Sequence, residues 1–232
     1  MSTYNVVAEE YYIRSRHPTC DNFRAASKMI IATWLNKIPK GVSICEVGAG
    51  RSVVAEHLIE IGVPLHNLLI TDQSARMLKY SAQLLQFGAF VKEADAAHLP
   101  IPVESVDYLI SSLGDPYNLP VFWTEVARVL TSTGKAIFTT PAYKWARHFR
   151  ANTEQTFKNA EFELIDGSRV LLPSFIYSDC EQQNMIRAAG LKVIATRHIL
   201  IRDLEGESLS PKLGLDRGQD GEVVSGYLIG KS

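Results

Sequence analysis

The 232-residue chain, 46% hydrophobic and 21% charged, has the make-up of an ordinary globular protein and is long enough to bury one full core. A formal net charge of -1 excludes a surface dominated by phosphate-gripping lysine and arginine, so bulk charge gives no support to a nucleic-acid partner. Cys20, Cys45 and Cys180 stand far apart with no Cys-x-x-Cys pair, which indicates neither a disulfide framework nor a zinc site and reads as free thiols in a reducing compartment. No stretch approaches the roughly 18 apolar residues of a membrane span. The first residues lack a basic segment followed by an apolar run, so no membrane partner is expected and the expected location is cytoplasmic.

In chain order, an irregular segment with Tyr4, Tyr11, Tyr12, Arg14, Arg16 and His17 comes first and is placed to close over a bound ligand. Residues 22–35 follow with Ala25, Met29 and Ala32 at helical spacing, and residues 1–40 are expected to form a helical cap. From residue 42 short β-rich runs alternate with helical ones, the rhythm of a parallel sheet covered by helices. Strands are expected at 42–47, 68–71, 89–92, 106–111 and 135–139, and helices at 52–61, 74–86 and 121–130. Thr133-Gly134 is expected to turn the chain into the fifth strand. The rhythm breaks over 141–177, an insertion with a helical stretch at 144–150 and a hairpin built on Phe162 to Ile165, Asp166-Gly167 and Arg169 to Leu172. It resumes with a helix over 179–189 and a strand from 191, and a polar loop at about 203–221 leads to a last strand at 223–229. The expected fold is a single α/β, Rossmann-like, seven-stranded sheet over residues 41–232, six strands parallel and the last antiparallel, with helices on both faces.

The chemistry is expected at the first turn. In an open parallel sheet, ligands bind beyond the carboxyl ends of the strands, where backbone N–H groups converge at a helix start. Gly48 and Gly50 suit that turn, but the dinucleotide pattern needs a third glycine where Val53 stands, and no Gly-Lys-Ser/Thr follows as a P-loop requires. Asp72 ends the second strand, where a carboxylate can accept from both hydroxyls of a ribose, Asp95 follows the third strand, and Asp107 introduces the fourth.

Read together, these features resemble the class I S-adenosylmethionine-dependent methyltransferases, and in particular the group called methyltransferase type 11. Glu46-Val47-Gly48-Ala49-Gly50 is similar to its first motif, and Thr71-Asp72-Gln73-Ser74-Ala75-Arg76-Met77-Leu78 to its second. Asp95-Ala96-Ala97-His98-Leu99-Pro100 and Glu125-Val126-Ala127-Arg128-Val129-Leu130 with Gly134 are similar to the later ones. Ser132-Thr133 departs from the usual proline-glycine, and Ser52 stands where many members have a third glycine. The resemblance implies S-adenosylmethionine as cofactor, with Gly48, Ala49 and Gly50 bordering its methionine part and Asp72 with Gln73 on its ribose. It further implies Asp95 and Ala96 at the adenine, Glu46 supporting the motif by hydrogen bonds, and Ser112 in the same site.

The implied reaction is in-line methyl transfer to a small-molecule nitrogen or oxygen, which needs alignment and exclusion of water but no metal. His17, His98, His148 and Tyr143 are candidate bases by residue type. Asp115-Pro116-Tyr117, after the fourth strand, reads either as a simple turn or as a shortened form of the Asp-Pro-Pro-Tyr motif that orients an amine in nucleic-acid amino-methyltransferases. Asp115 and Tyr117 therefore join His17 as catalytic candidates. The stretch 144–150, with Lys144, Arg147 and His148 near one face, reads either as a solvated basic face or as a grip for an anionic substrate. A nucleic-acid amino-methyltransferase and a non-catalytic cofactor-binding module are the competing functions.

Overall fold

The protein is described here by a computed structural model covering residues 2–36, 38–39, 41–149, 158–206, 208–214 and 220–231. Arg150 and part of the polar loop lie outside the described residues, as does residues 150–157 of the insertion. Short runs of branched residues make the first strands, β1 (Ile44–Val47), β2 (Leu68–Asp72), β3 (Phe90–Glu93) and β4 (Val106–Ser111). They are followed by β5 (Leu130–Pro141), a separate hairpin of β6 (Asn159–Glu163) and β7 (Arg169–Pro173), then β8 (Leu191–Leu200) and β9 (Glu222–Lys231). The sheet has seven strands in the order β3-β2-β1-β4-β5-β9-β8. Strands β1 to β5 pair parallel, and β9 runs antiparallel between β5 and β8, so six strands share one direction, as expected.

Helices α1 (Tyr4–Val7) and α2 (Pro18–Leu35) precede the sheet, and α3 (Val53–Glu60), α4 (Ala75–Leu78) and α5 (Pro120–Val129) connect its parallel strands. Then come α6 (Tyr143–Phe149), α7 (Asp179–Ala188) and α8 (Pro211–Gly214). One face of the sheet buries Phe122, Trp123 and Val126 of α5 against Phe138 and Tyr227. The opposite face buries Ile31 and Leu35 of α2 and Val54 and Leu58 of α3 against Ile70 and Ile110. Helix α2 also reaches the far end of the sheet, where a Cβ at Gly226 would stand 2.6 Å from Ile30 Cγ2, so glycine there lets the helix sit down on β9. Hydroxyls cap several of the starts: Ser52 Oγ accepts from Ala55 N–H at 2.9 Å, and Ser178 with Glu181 forms a full capping box on α7.

Two local expectations need correction. The helix expected over 74–86 is a single α turn, α4, continued as a 3-10 helix from Lys79 to Phe87. Its buried Ser81 donates to the Gly50 carbonyl at 2.6 Å and accepts from Ser52 N–H at 3.1 Å, and these tertiary bonds outweigh the α propensity of the segment. The turn at Thr133-Gly134 does not separate helix from strand, because β5 begins directly at Leu130. Its turn residues are absorbed by a bulge: Leu130 pairs with Val106 and Lys135 with Tyr108, so residues 131–134 stand opposite Asp107. Asp107 itself accepts from Ser43 N–H and Oγ, both at 2.9 Å, at the start of β4, the opposite end of that strand from the Ser111 side.

Candidate active site

The carboxyl ends of β1, β2 and β4 open onto a cavity of about 810 Å³. That is ample for a ligand of nucleoside size plus a small partner. Its floor is the turn after β1. Gly48 and Gly50 have φ of +63° and +46°, left-handed values that a side chain would strain. A Cβ at Gly48 would also fall 2.3 Å from the Tyr117 hydroxyl, and one at Gly50 the same distance from that of Tyr12.

Asp72 anchors the turn from β2. Its Oδ2 accepts from Gly50 N–H at 2.8 Å and its Oδ1 from Ser74 N–H at 2.7 Å. A carboxylate offers about four acceptor positions, so each oxygen keeps a lone pair for a ligand. Burial raises the Asp72 carboxyl above the usual range, against the pull of these two N–H groups.

Glu46 supports the motif by hydrogen bonds, as the resemblance implied, but does not itself line the cofactor cavity. It is fully buried and lies behind the cavity, accepting from Ser52 Oγ, from Val53 N–H at 3.1 Å and from Val54 N–H at 3.3 Å. It braces the first turn of α3. Gly50 also lies behind the lining, under Tyr12, whereas Gly48 and Ala49 face the cavity. Desolvation pushes the Glu46 carboxyl up to about 7. A folded-state value above the unfolded one stabilises the fold fully below the ordinary carboxylate range and loses that effect as pH rises through about 7. Glu46→Gln should therefore flatten the decline in melting temperature between roughly pH 5 and 8; an unchanged slope in a thermal-denaturation series would mean that Glu46 is not the group responsible.

Gln73, Asp95, Ala96, Ser112, Asp115, Tyr117 and His17 all line the cavity. Asp95 Oδ1 accepts from Ala97 N–H at 2.9 Å, a tight turn at the exposed rim. The loop beyond it is held by the Glu125 and Arg128 pair: Glu125 accepts from Leu99 N–H at 2.6 Å, and Arg128 donates to Glu125 and to the Leu99 and Ile101 carbonyls. That is the physical content of the motif read over 125–130. Ser112 Oγ bonds Ser27 of α2 at 2.7 Å, and Leu113 adopts a φ of +54°, a strained turn fixed by Thr139 Oγ1 accepting from its N–H at 2.9 Å.

Asp115 and Tyr117 are drawn into different roles. Asp115 accepts from Ser174 Oγ, and its main-chain carbonyl from Phe175 N–H at 2.7 Å, which ties the turn to the end of β7. The Tyr117 phenol donates to the Val47 carbonyl at 2.6 Å and meets Ser111 Oγ at 2.9 Å, while its ring packs edge-on against Phe122. Its phenol is held well above the ordinary range by burial, so it stays protonated. His17, just ahead of α2, stacks on Phe162 of the hairpin with ring centroids 4.0 Å apart, and its Nε2 is buried with no hydrogen-bond partner. Burial lowers its pKa, which keeps the ring neutral.

The sequence reading missed Arg24 and named Tyr12 only within the segment expected to close over a ligand. Arg24 of α2 lines the cavity beside the glycine turn; one Nη bonds the Arg51 carbonyl at 3.2 Å and Glu56 at 2.7 Å, yet its buried Nε–H has no partner. Tyr12 Oη accepts from Arg51 N–H at 2.8 Å. The remaining histidine and basic candidates sit elsewhere. Tyr143, His98 and His148 do not line the cavity, Lys144 pairs with Glu222 at 2.7 Å, and Trp145 faces the cavity with its ring edge on Phe23.

Residues 45–138, the stretch that builds the glycine turn, the Asp72 corner and the Glu125 clamp, match the family model of the methyltransferase domain. That stretch carries a methyltransferase domain, and S-adenosylmethionine-dependent methyl transfer is the activity it indicates. Among solved structures, the methyltransferase is similar to an S-adenosylmethionine-dependent methyltransferase from Mesorhizobium loti, with a TM-score of 0.62 at 14% identity over 89% of this chain and 99% of the other. It is similar also to DhpI, solved with S-adenosylmethionine, with a TM-score of 0.64 at 15% identity over 97% of this chain and 93% of the other. The CcbJ methyltransferase of Streptomyces caelestis follows at 0.60 and 14%, covering 89% and 90%. At these identities the likeness is one of fold. No curated protein matches the sequence. The residues present fit the cofactor: its ribose hydroxyls suit the spare lone pairs of Asp72, and its carboxylate suits the unpartnered Nε–H of Arg24. Among the described residues, no helix is long and apolar enough to cross a membrane and no cluster of metal-ligating side chains occurs.

Proposed function

We propose that this methyltransferase acts on a small-molecule nitrogen or oxygen nucleophile, bound in the same cavity as the cofactor. The observation that carries this reading is the roof. Tyr4, Tyr11 and His17 from the first segment and Phe162 and Leu172 from the hairpin line the cavity opposite the glycine turn. Tyr11 and His17 both stack on Phe162, which closes the two elements on each other. A space walled on both sides suits a small acceptor better than a polymer, and residues 1–40 act as its cap.

S-adenosylmethionine supplies a methyl group on a sulfonium, open to in-line attack. Asp72 with Gln73 holds the ribose, Gly48 and Ala49 border the methionine part, Arg24 takes its carboxylate, and Asp95 with Ala96 flanks the adenine. Ser112 ties the loop after β4 to Ser27 of α2 at the edge of the cavity. With the methyl donor held there, His17 Nε2 would take the proton that the acceptor's nitrogen or oxygen gives up. Asp115 orients the acceptor from the hairpin side, while Tyr117 steadies the turn after β1. The roof excludes water, which would otherwise compete with alignment.

The competing nucleic-acid reading needs the Tyr117 ring free to stack on a base and a basic face to meet phosphates. The ring is packed on Phe122 and its hydroxyl bonded, and Lys144 is already paired. With methyl-labelled S-adenosylmethionine and a cell extract split into metabolites, RNA and DNA, label should enter the metabolite fraction. Label entering RNA or DNA, with a yield that drops steeply as salt rises, would replace this reading with the nucleic-acid one.

A further inference from the structure

The first helix places a side chain where none of the motifs would put one. Asn5 Oδ1 accepts from Ser74 Oγ at 2.7 Å and from Arg76 N–H at 3.2 Å, which pins α1 to the loop after Asp72. Tyr80 Oη donates to the Ala8 carbonyl at 2.8 Å, and Val7 is buried against Phe162 and Leu172. Held from three sides, α1 places Tyr4 in the lining of the cavity that Asp72, Asp115 and Tyr117 also line, with its ring 6.0 Å from that of Tyr11. Burial together with these neighbouring oxygens holds the phenol well above its ordinary range, so it remains a neutral, electron-rich group.

Two carboxylates, two phenol oxygens and an aromatic face thus converge on one desolvated space. Such a space attracts a cation strongly, because little water is present to screen the attraction. We propose that Tyr4 is a charge-selecting residue of the cofactor site, favouring the cationic sulfonium of S-adenosylmethionine over the neutral thioether left after transfer. The inference rests on the cavity being the cofactor site. It gives the protein a means of release: transfer removes the positive charge, and the attraction from Tyr4 ends with it.

The test needs no acceptor. Titration calorimetry would measure S-adenosylmethionine, its thioether product and sinefungin, which carries an ammonium near the position of the sulfonium. Tyr4→Phe, which keeps the ring packed against Tyr11, should weaken both cationic ligands by about threefold or more, and Tyr4→Leu by about tenfold, with product affinity within about twofold of wild type. Tyr11→Phe should leave the ratio of cationic to neutral ligand unchanged. Equal losses for charged and neutral ligands, or no loss in either Tyr4 variant, would overturn the proposal and leave Tyr4 a packing residue. If the wild-type protein bound none of the three, the cofactor-site reading itself would fall and take this proposal with it.

Discussion

Replacing Asp72 with alanine should weaken S-adenosylmethionine binding by more than tenfold in titration calorimetry. The carboxylate does two things at once. It holds Gly50 N–H and Ser74 N–H, at 2.8 and 2.7 Å, and so shapes the glycine turn, and it keeps a lone pair on each oxygen for the ribose. A hydrogen bond to a charged group is worth about 1.5–3 kcal/mol, and tenfold in affinity corresponds to about 1.4 kcal/mol, so loss of even one ribose contact reaches that threshold. Asp72→Asn, which retains one acceptor oxygen, should fall between wild type and alanine. Because burial raises the Asp72 carboxyl, binding should also weaken on acidification at a higher pH than an exposed carboxylate would give. Wild-type affinity in a folded Asp72→Ala protein would remove Asp72 from the cofactor site.

The second large effect is on turnover. His17→Phe keeps a ring stacked on Phe162 but deletes the buried, unpartnered Nε2. A positioned base contributes roughly 10²–10⁴ in rate, so kcat should fall by at least about a hundredfold while cofactor affinity holds. The pH profile gives an independent check. Burial lowers the His17 pKa, so the neutral, proton-accepting form persists below the ordinary histidine range, and the acid limb of kcat should lie below about 6.5. A variant with full turnover and an unshifted acid limb would make His17 only the residue that introduces α2.

Much of the sheet and of the cavity's glycine-turn side was legible because each motif acts on its own neighbours. Gly48, Asp72 and Asp95 follow their strands directly, and the bonds of Asp72 and Asp95 reach only nearby turns, so their meaning is local. The roof obeys a different logic. Arg24 and Tyr12 meet the glycine turn, and Tyr4 joins Asp115 in one cavity lining, only through tertiary packing, and nothing in their flanking residues signals it. The same holds for residues 79–87, where apolar spacing indicated an α-helix but the bond from Ser81 to Gly50 imposed a tighter winding. For Glu46 the supporting hydrogen bonds were expected, and the structure adds that they go to the start of α3 from a fully buried carboxylate.

The seat of Ile30 on Gly226 bears on the order in which the molecule matures. During synthesis α2 emerges early, with Ala26 and Ile30 on a buried face whose partners include Val223 and Val224 of the last strand. Contacts this distant along the chain form late, since their loop must close before the packing compensates. The left half of the sheet, β3-β2-β1-β4, contains no residue beyond Ser111 and can pair while the rest is still being made. Ligand binding requires more, because the roof hangs from α2. The helix that follows the roof segment is therefore seated only after the last strand has been made.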